Sequence, residues 1–197
     1  MRPMRKPIAI PLVAALALLL AGCGFQSIPQ AENQVDAAWA EVQNQYQRRA
    51  DLVPNLVNTV KGFAAQEREV LAEVTDARAR ATGVTLQADD LTPENLRQFE
   101  QAQQQLGGAL GRLLAVSERY PELRSNQNFR DLQAQLEGTE NRIAIARRRY
   151  IEAVQAFNNL ITVPPTSFTN SLFYKKEAKP QFQATAPDAE RPPEVQF

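Results

Sequence analysis

The sequence predicts an all-α protein, an antiparallel up-and-down bundle of three to four long helices. Three observations carry that reading. Apolar residues recur at alternating four- and three-residue steps along three stretches; nothing between them alternates apolar and polar residues as a strand does; and prolines and capping residues fall where the seams stop.

The chain opens with Arg2, Arg5 and Lys6, followed by an apolar run from Ile8 to Ala21 interrupted only by Pro11. Its 14 residues fall short of the roughly 17–25 a spanning helix needs, so residues 1–22 read as a secretory signal peptide. Leu20-Ala21-Gly22-Cys23 resembles the lipobox of bacterial lipoproteins, whose cysteine receives a diacylglycerol and becomes the new N-terminus. The alternative is an uncleaved anchor from Ile8 to Phe25, with Cys23 as a small apolar residue inside it. Cys23 is the single cysteine of the chain, so no disulfide accounts for it. Two or three acyl chains, at about 0.8 kcal/mol per buried methylene, hold a protein at a membrane permanently. Either reading tethers the body outside the cytoplasm, and Gly24, where many retained lipoproteins carry aspartate, points to the outer membrane in a two-membrane cell. Residues 23–30 are then a lipidated N-terminus and linker.

The first seam steps from Val35 through Trp39, Val42, Tyr46, Arg49, Val53, Leu56, Val60, Phe63, Glu67, Val70, Val74 and Ala77 to Ala81, and only Arg49 and Glu67 are polar. Pro54 lies inside it. The rhythm passes through the proline without a slip, as in one bent helix. A single rod, however, leaves Val35, Trp39, Val42 and Tyr46 beyond the reach of the next helix, and an unpartnered apolar stripe is costly to expose. The first helix is therefore expected to be kinked or broken near Asp51–Pro54, with Asp51 as an N-cap.

Thr82-Gly83 closes that region, and Val84–Leu91 reads as a loop. Thr92-Pro93-Glu94 starts the next helix with a capping hydroxyl, a proline at the first helical position and an acid in the first turn. Its seam is Phe99, Ala102, Leu106, Ala109, Leu113, Val116 and Tyr120, and Tyr120-Pro121 stops it. The glycines at 107, 108 and 111 inside it suggest a close helix crossing or a soft spot. The third seam runs Phe129, Leu132, Leu136, Thr139, Ile143, Ala146, Tyr150, Ala153, Phe157 and Leu160, and Val163-Pro164-Pro165 ends it. The bundle spans 31–176, and four prolines in residues 177–197 predict a disordered tail.

Composition narrows the chemistry. There is no histidine, which removes the usual general base near neutral pH, the Ser-His and Cys-His nucleophile pairs and the common zinc sites. No metal and no cofactor are expected. Without residues 1–22 the basic count falls from 22 to 19 against 22 acids, a net charge of −3, which gives no footprint for nucleic acid. Arg147-Arg148-Arg149 is the local exception and reads as a solvated helix face.

Ala38-Trp39, Gln47-Arg48-Arg49-Ala50-Asp51-Leu52-Val53-Pro54-Asn55-Leu56-Val57 and Val60-Lys61-Gly62-Phe63-Ala64 resemble the signature of the LemA family. A second stretch agrees, with Tyr120-Pro121-Glu122-Leu123, Asn128-Phe129, Thr139-Glu140-Asn141-Arg142-Ile143, Ala146-Arg147, Tyr150 and Phe157-Asn158. The resemblance covers roughly 33–175 and implies a membrane-attached helical bundle facing away from the cytoplasm, usually on an uncleaved N-terminal helix. The lipobox departs from that pattern, as does Gln66-Glu67, where members often carry His-Glu. An altered form of the family's ending runs from Ser167 to Phe173.

The expectation is a membrane-tethered interaction or scaffold module of the bacterial cell envelope, without catalysis, whose partners are membrane lipid through acylated Cys23 and an envelope protein. Arg49, Asp51, Asn55, Glu140, Asn141 and Arg142 form its candidate polar cluster or binding face, with Asp51 and Glu140 as candidate partners for Arg49. The rival is an envelope hydrolase using paired carboxylates on peptidoglycan or sugars, which requires acids converging in a cleft at roughly 5–10 Å.

If Cys23 is the lipid acceptor, Cys23→Ser should abolish labelling by radioactive palmitate and leave the signal uncleaved. Normal processing of that variant, read by gel mobility and N-terminal sequencing, would refute the lipoprotein reading.

Overall fold

A computed structural model describes residues 25–182. The expected signal peptide over residues 1–22, Cys23, Gly24 and residues 183–197 lie outside the described residues. Four long helices form the body: α1 (Ser27–Phe63), α2 (Arg68–Gly83), α3 (Pro93–Val116) and α5 (Gln127–Thr162). Short helix α4 (Pro121–Ser125) links α3 to α5 and α6 (Thr166–Thr169) follows α5, with 3₁₀ turns at Ala88–Asp90 and Ser117–Arg119 and a π turn at Asn170–Tyr174. No strand occurs among the described residues. The four long helices run up and down in chain order, and the most extensive contact is between antiparallel α1 and α5.

Helix lengths decide the layout. At 1.5 Å per residue α1 and α5 are each about 55 Å long, whereas α2 and α3 are only about 24 and 36 Å. Four helices therefore surround one half of the rod. There the apolar core is drawn from all of them, with Val53, Leu56 and Val60 of α1 against Leu71 and Val74, Leu106 and Leu113, and Phe129 and Leu136. In the other half the core contains Val35, Trp39, Val42 and Tyr46 of α1, Tyr150, Val154 and Phe157 of α5, and Leu96 and Phe99 from the start of α3.

The first helix does not break at Asp51–Pro54. Proline has no N–H, so the Ala50 carbonyl loses its helical donor, and the Arg78 side chain of α2 supplies a replacement, Nε donating to Ala50 O at 2.9 Å. With that acceptor satisfied, α1 continues to Phe63. The reversal comes at Ala64–Glu67, where Ala64 leaves the helical region at φ −133°, ψ 50°. Glu67, the second polar residue of the first seam, sits at this turn. Its carboxylate accepts from Tyr120 Oη at 2.8 Å and pairs with Arg119 at 3.0 Å, which ties the α1–α2 turn to the end of α3.

The stripe Val35–Tyr46 is covered by α5, the start of α3 and two non-helical segments. The connector between α2 and α3 contributes Leu86 and Leu91 to the core, and Trp39 Nε1 donates to Leu86 O at 3.0 Å. The tail contributes the rest. Residues 177–182 are docked, in contrast to the disorder their prolines predict: Lys179 exchanges backbone hydrogen bonds with the Asn158 amide at 2.9 and 3.0 Å, Tyr150 donates to Pro180 O at 3.0 Å, and Phe182 is buried against Trp39 and Tyr150. An extended strap needs no helical N–H; side-chain amides satisfy its backbone and one aromatic ring secures it. At the other terminus α1 begins at Ser27, and Ile28 is already in the core, so residues 27–30 are helix rather than linker.

Asp51 lies within α1 and caps no helix, whereas the signals at Thr92 and Val163-Pro164-Pro165 agree with the structure. Asn95 N donates to Thr92 Oγ1 at 3.1 Å with Pro93 opening α3, and α5 stops at Thr162 before Val163-Pro164-Pro165. The glycines of α3 mark no close crossing: a methyl added at Gly107 meets Arg49 Nη1 at 3.7 Å, at Gly108 it meets Arg112 Nη1 at 3.8 Å, and at Gly111 it meets nothing.

The Pro54–Arg78 relation can be tested by a double-mutant cycle under urea unfolding. Arg78→Met should cost about 1–3 kcal/mol by stranding the buried Ala50 carbonyl. In a Pro54→Ala background, where residue 54 regains an N–H for that carbonyl, the same substitution should cost markedly less. Equal costs in both backgrounds would show that Arg78 does not compensate for the proline.

Candidate functional site

The two apolar cores are separated by a polar layer centred on Arg49. Arg49 occupies a seam position on α1 and therefore points into the bundle, where its side chain is 5% exposed. Nη2 donates to both the carbonyl and Oε1 of Gln103 on α3 at 2.8 Å, and Nη1 meets Glu140 Oε1 on α5 at 3.0 Å. Gln103 in turn donates through Nε2 to the Ala81 carbonyl at the end of α2, at 3.2 Å. One guanidinium thus connects α1, α3 and α5 directly and α2 through Gln103. Its carbon lies 5.0 Å from the Tyr46 ring centroid, within cation–π range. Arg49 Nε is buried with no hydrogen-bond partner among the described residues.

One helical turn along α3 a second ion pair crosses the bundle. Glu100 Oε1 and Arg147 Nη2 are 2.7 Å apart, and the Arg147 guanidinium lies over the Phe182 ring at 4.3 Å. Burial pushes the Glu100 carboxyl above its usual range, with Arg147 opposing the shift. Burial likewise raises the Tyr46 hydroxyl, against the nearby Arg147 and Arg49 charges, and raises Tyr150, with Asp36 adding to the effect.

The six residues expected to cluster do not form one face. Arg49 and Glu140 meet. Asp51 is exposed and accepts from Gln47 Nε2 at 2.7 Å. Asn55 is exposed at the mouth of a groove between α1 and α5 that Asn58, Asn128 and Asp131 also line. Asn141 is exposed, and Arg142 lies along the surface of α5, where it donates to Thr139 Oγ1 at 2.9 Å and Gln45 Oε1 at 3.3 Å. Glu100 and Gln103 were not anticipated. A second stripe, Leu96-Glu100-Gln103-Gly107-Leu110, runs beside the α3 seam at the same four-three spacing, and that stripe is the signal that locates them.

Among the described residues no three acids, cysteines or histidines are grouped to hold a metal ion. Of four surface clefts among the described residues, none is lined by more than one carboxylate. The cleft beside the polar layer, between Tyr46, Ala81, Thr85, Phe99 and Gln103, has none. The others hold Asp76, Asp131 and Glu100 singly, the last with Arg97 beside it.

The layer is asymmetric, which sets the expected mutational pattern. Arg49→Met strands the buried side-chain oxygen of Gln103, whose carbonyl keeps its helical partner within α3, at about 2 kcal/mol, or a fall in melting temperature of roughly 4–8 °C. Glu140 is 48% exposed on its side chain, so Glu140→Gln leaves Arg49 its Gln103 contacts and should cost about 1 kcal/mol or less. Thermal denaturation of both variants checks the order; equal losses would mean Glu140 is as essential as Gln103.

The chain matches the family model described as the LemA family over residues 38–197. It is also similar to two magnetosome proteins of Paramagnetospirillum magneticum, MamQ 1 and MamQ 2, each 26% identical over 178 residues that cover 81% of this chain and 64% of theirs. The chain therefore spans a little under two thirds of the length of these curated relatives. The stretches that carry the family signature supply Arg49 and Glu140 to the polar layer and Trp39, Val53, Leu56, Phe129 and Tyr150 to the cores, and the family match covers most of the chain. This chain belongs to the LemA family.

Proposed function

We propose that this protein is a membrane-tethered helical interaction module of the bacterial cell envelope, held on the extracytoplasmic side by acyl chains on Cys23. The observation that carries the reading is the junction between anchor and body. The run Ile8–Ala21 ends at Leu20-Ala21-Gly22-Cys23, and α1 starts at Ser27, four residues after the cysteine. A bundle joined so closely to its anchor works at the membrane surface. Among the described residues no helix is long and apolar enough to cross a membrane.

The carboxylates support a binding role over a hydrolytic one. Glu67, Glu100 and Glu140 are engaged by Arg119, Arg147 and Arg49, and Glu32 and Asp36 by Lys176 and Lys179. A glycosidase-type mechanism needs two acids facing one cleft, one of them free to carry a proton.

Tethering raises effective concentration by confining protein and partner to one surface. In a deletion strain the native chain should restore the phenotype. Residues 24–197 on an unrelated lipoprotein signal should also restore it, whereas the same residues exported without an anchor should not. Restoration by the unanchored chain at native abundance would overturn the tethered-module reading in favour of a diffusible catalyst on peptidoglycan or sugars.

A further inference from the structure

Seven large hydrophobic side chains are exposed among the described residues. Five of them, Phe25, Val163, Phe168, Leu172 and Phe173, gather at the end of the bundle where α1 starts and α5 stops; the other two, Ile145 and Phe63, lie midway along α5 and at the opposite end. Phe168, Leu172 and Phe173 are 64%, 71% and 63% exposed. Phe168 and Leu172 are four residues apart in consecutive helical turns and share a face. The Phe25 ring lies 4.9 Å from that of Phe173, and Tyr174 Oη donates to the Phe25 carbonyl at 2.8 Å. The π turn thus holds the first described residue against the patch. Lys175, exposed, borders it.

We propose that this end of the bundle is a lipid-docking surface, with Phe168, Leu172 and Phe173 seated among the acyl chains beside the anchor. The proposal rests on the membrane-tether reading above. Cys23 is two residues before Phe25, and a chain extends at most about 3.6 Å per residue, so the acylated residue lies within about 7 Å of the Phe25 backbone. Lipid entering the bilayer at Cys23 carries the patch to the same surface. Aromatic and leucine side chains with a bordering lysine have the chemistry of an interfacial contact, the rings in the headgroup–acyl boundary and the ammonium among phosphates. Acyl chains on a single residue leave a protein free to pivot about it, whereas docking fixes its orientation. The α4 end, about 55 Å along the rod, is then presented away from the bilayer to partners.

The test uses the full-length chain, with p-benzoylphenylalanine in place of Phe168, Leu172 or Phe173, and in place of Phe63 as the distal control. Circular dichroism confirms that each labelled chain keeps the native helical signal. The protein is reconstituted into phosphatidylethanolamine–phosphatidylglycerol vesicles, floated on a density gradient and irradiated, and adducts are identified by mass spectrometry. Lipid adducts at the three patch positions, at least tenfold above Phe63, are expected. Flotation without that excess overturns docking and leaves the tether standing, and failure to float overturns both. Adducts to a second copy, or to residues 1–24 or 183–197 of the same chain, in place of lipid overturn the proposal by naming another occupant.

Discussion

The guanidinium of Arg49 is the contact through which all four long helices are joined. It reaches Gln103 on α3 and Glu140 on α5, and Gln103 extends the connection to the last turn of α2. Apolar packing alone tolerates sliding, because one leucine layer resembles the next. A buried cation does not, since any shift along α1 separates it from the oxygens that offset its desolvation. The layer lies between the two apolar clusters and so fixes the register of both.

On one side of that layer four helices enclose the core; on the other, α2 is absent because it is 16 residues long against the 37 of α1. The fold fills the missing quarter with irregular chain. Leu86 and Leu91 enter from the connector and Phe182 from the tail, around Trp39 and Tyr150. Such segments forgo helical hydrogen bonds, so each is held by side chains instead: Trp39 and Gln43 on the Leu86 carbonyl, Asn158 on Lys179, and the pairs Lys176–Glu32 and Lys179–Asp36 across to α1. The charges that cluster near the start of α1 thereby secure the tail.

These features divide the molecule along its length. Its ion pairs and buried polar groups hold helices and strap together, and its exposed apolar side chains concentrate where the N-terminal segment joins α1. With the proposed attachment at that end, a body about 55 Å long is suited to presenting a surface at a fixed distance from a membrane. The amide-rich groove between α1 and α5, lined by Asn55, Asn58, Asn128 and Gln135, lies in the half farther from the start of α1.

The sequence by itself determined the helical class, the caps at Thr92 and Pro164-Pro165 and the inward position of Arg49. Helical periodicity, proline geometry and capping are local, acting within four residues. The absence of histidine narrowed the chemistry in the same way, by composition alone. Tertiary structure decided what depends on distant partners. Pro54 ends no helix because Arg78, 28 residues beyond the Ala50 carbonyl, replaces the missing donor. Arg49 pairs with Glu140, 91 residues away, rather than with Asp51, since side chains two apart on a helix face different directions. The strap at Lys179–Phe182 is ordered because Asn158 and Tyr150 meet its backbone across the bundle, a complementarity that no local pattern in a proline-rich segment encodes.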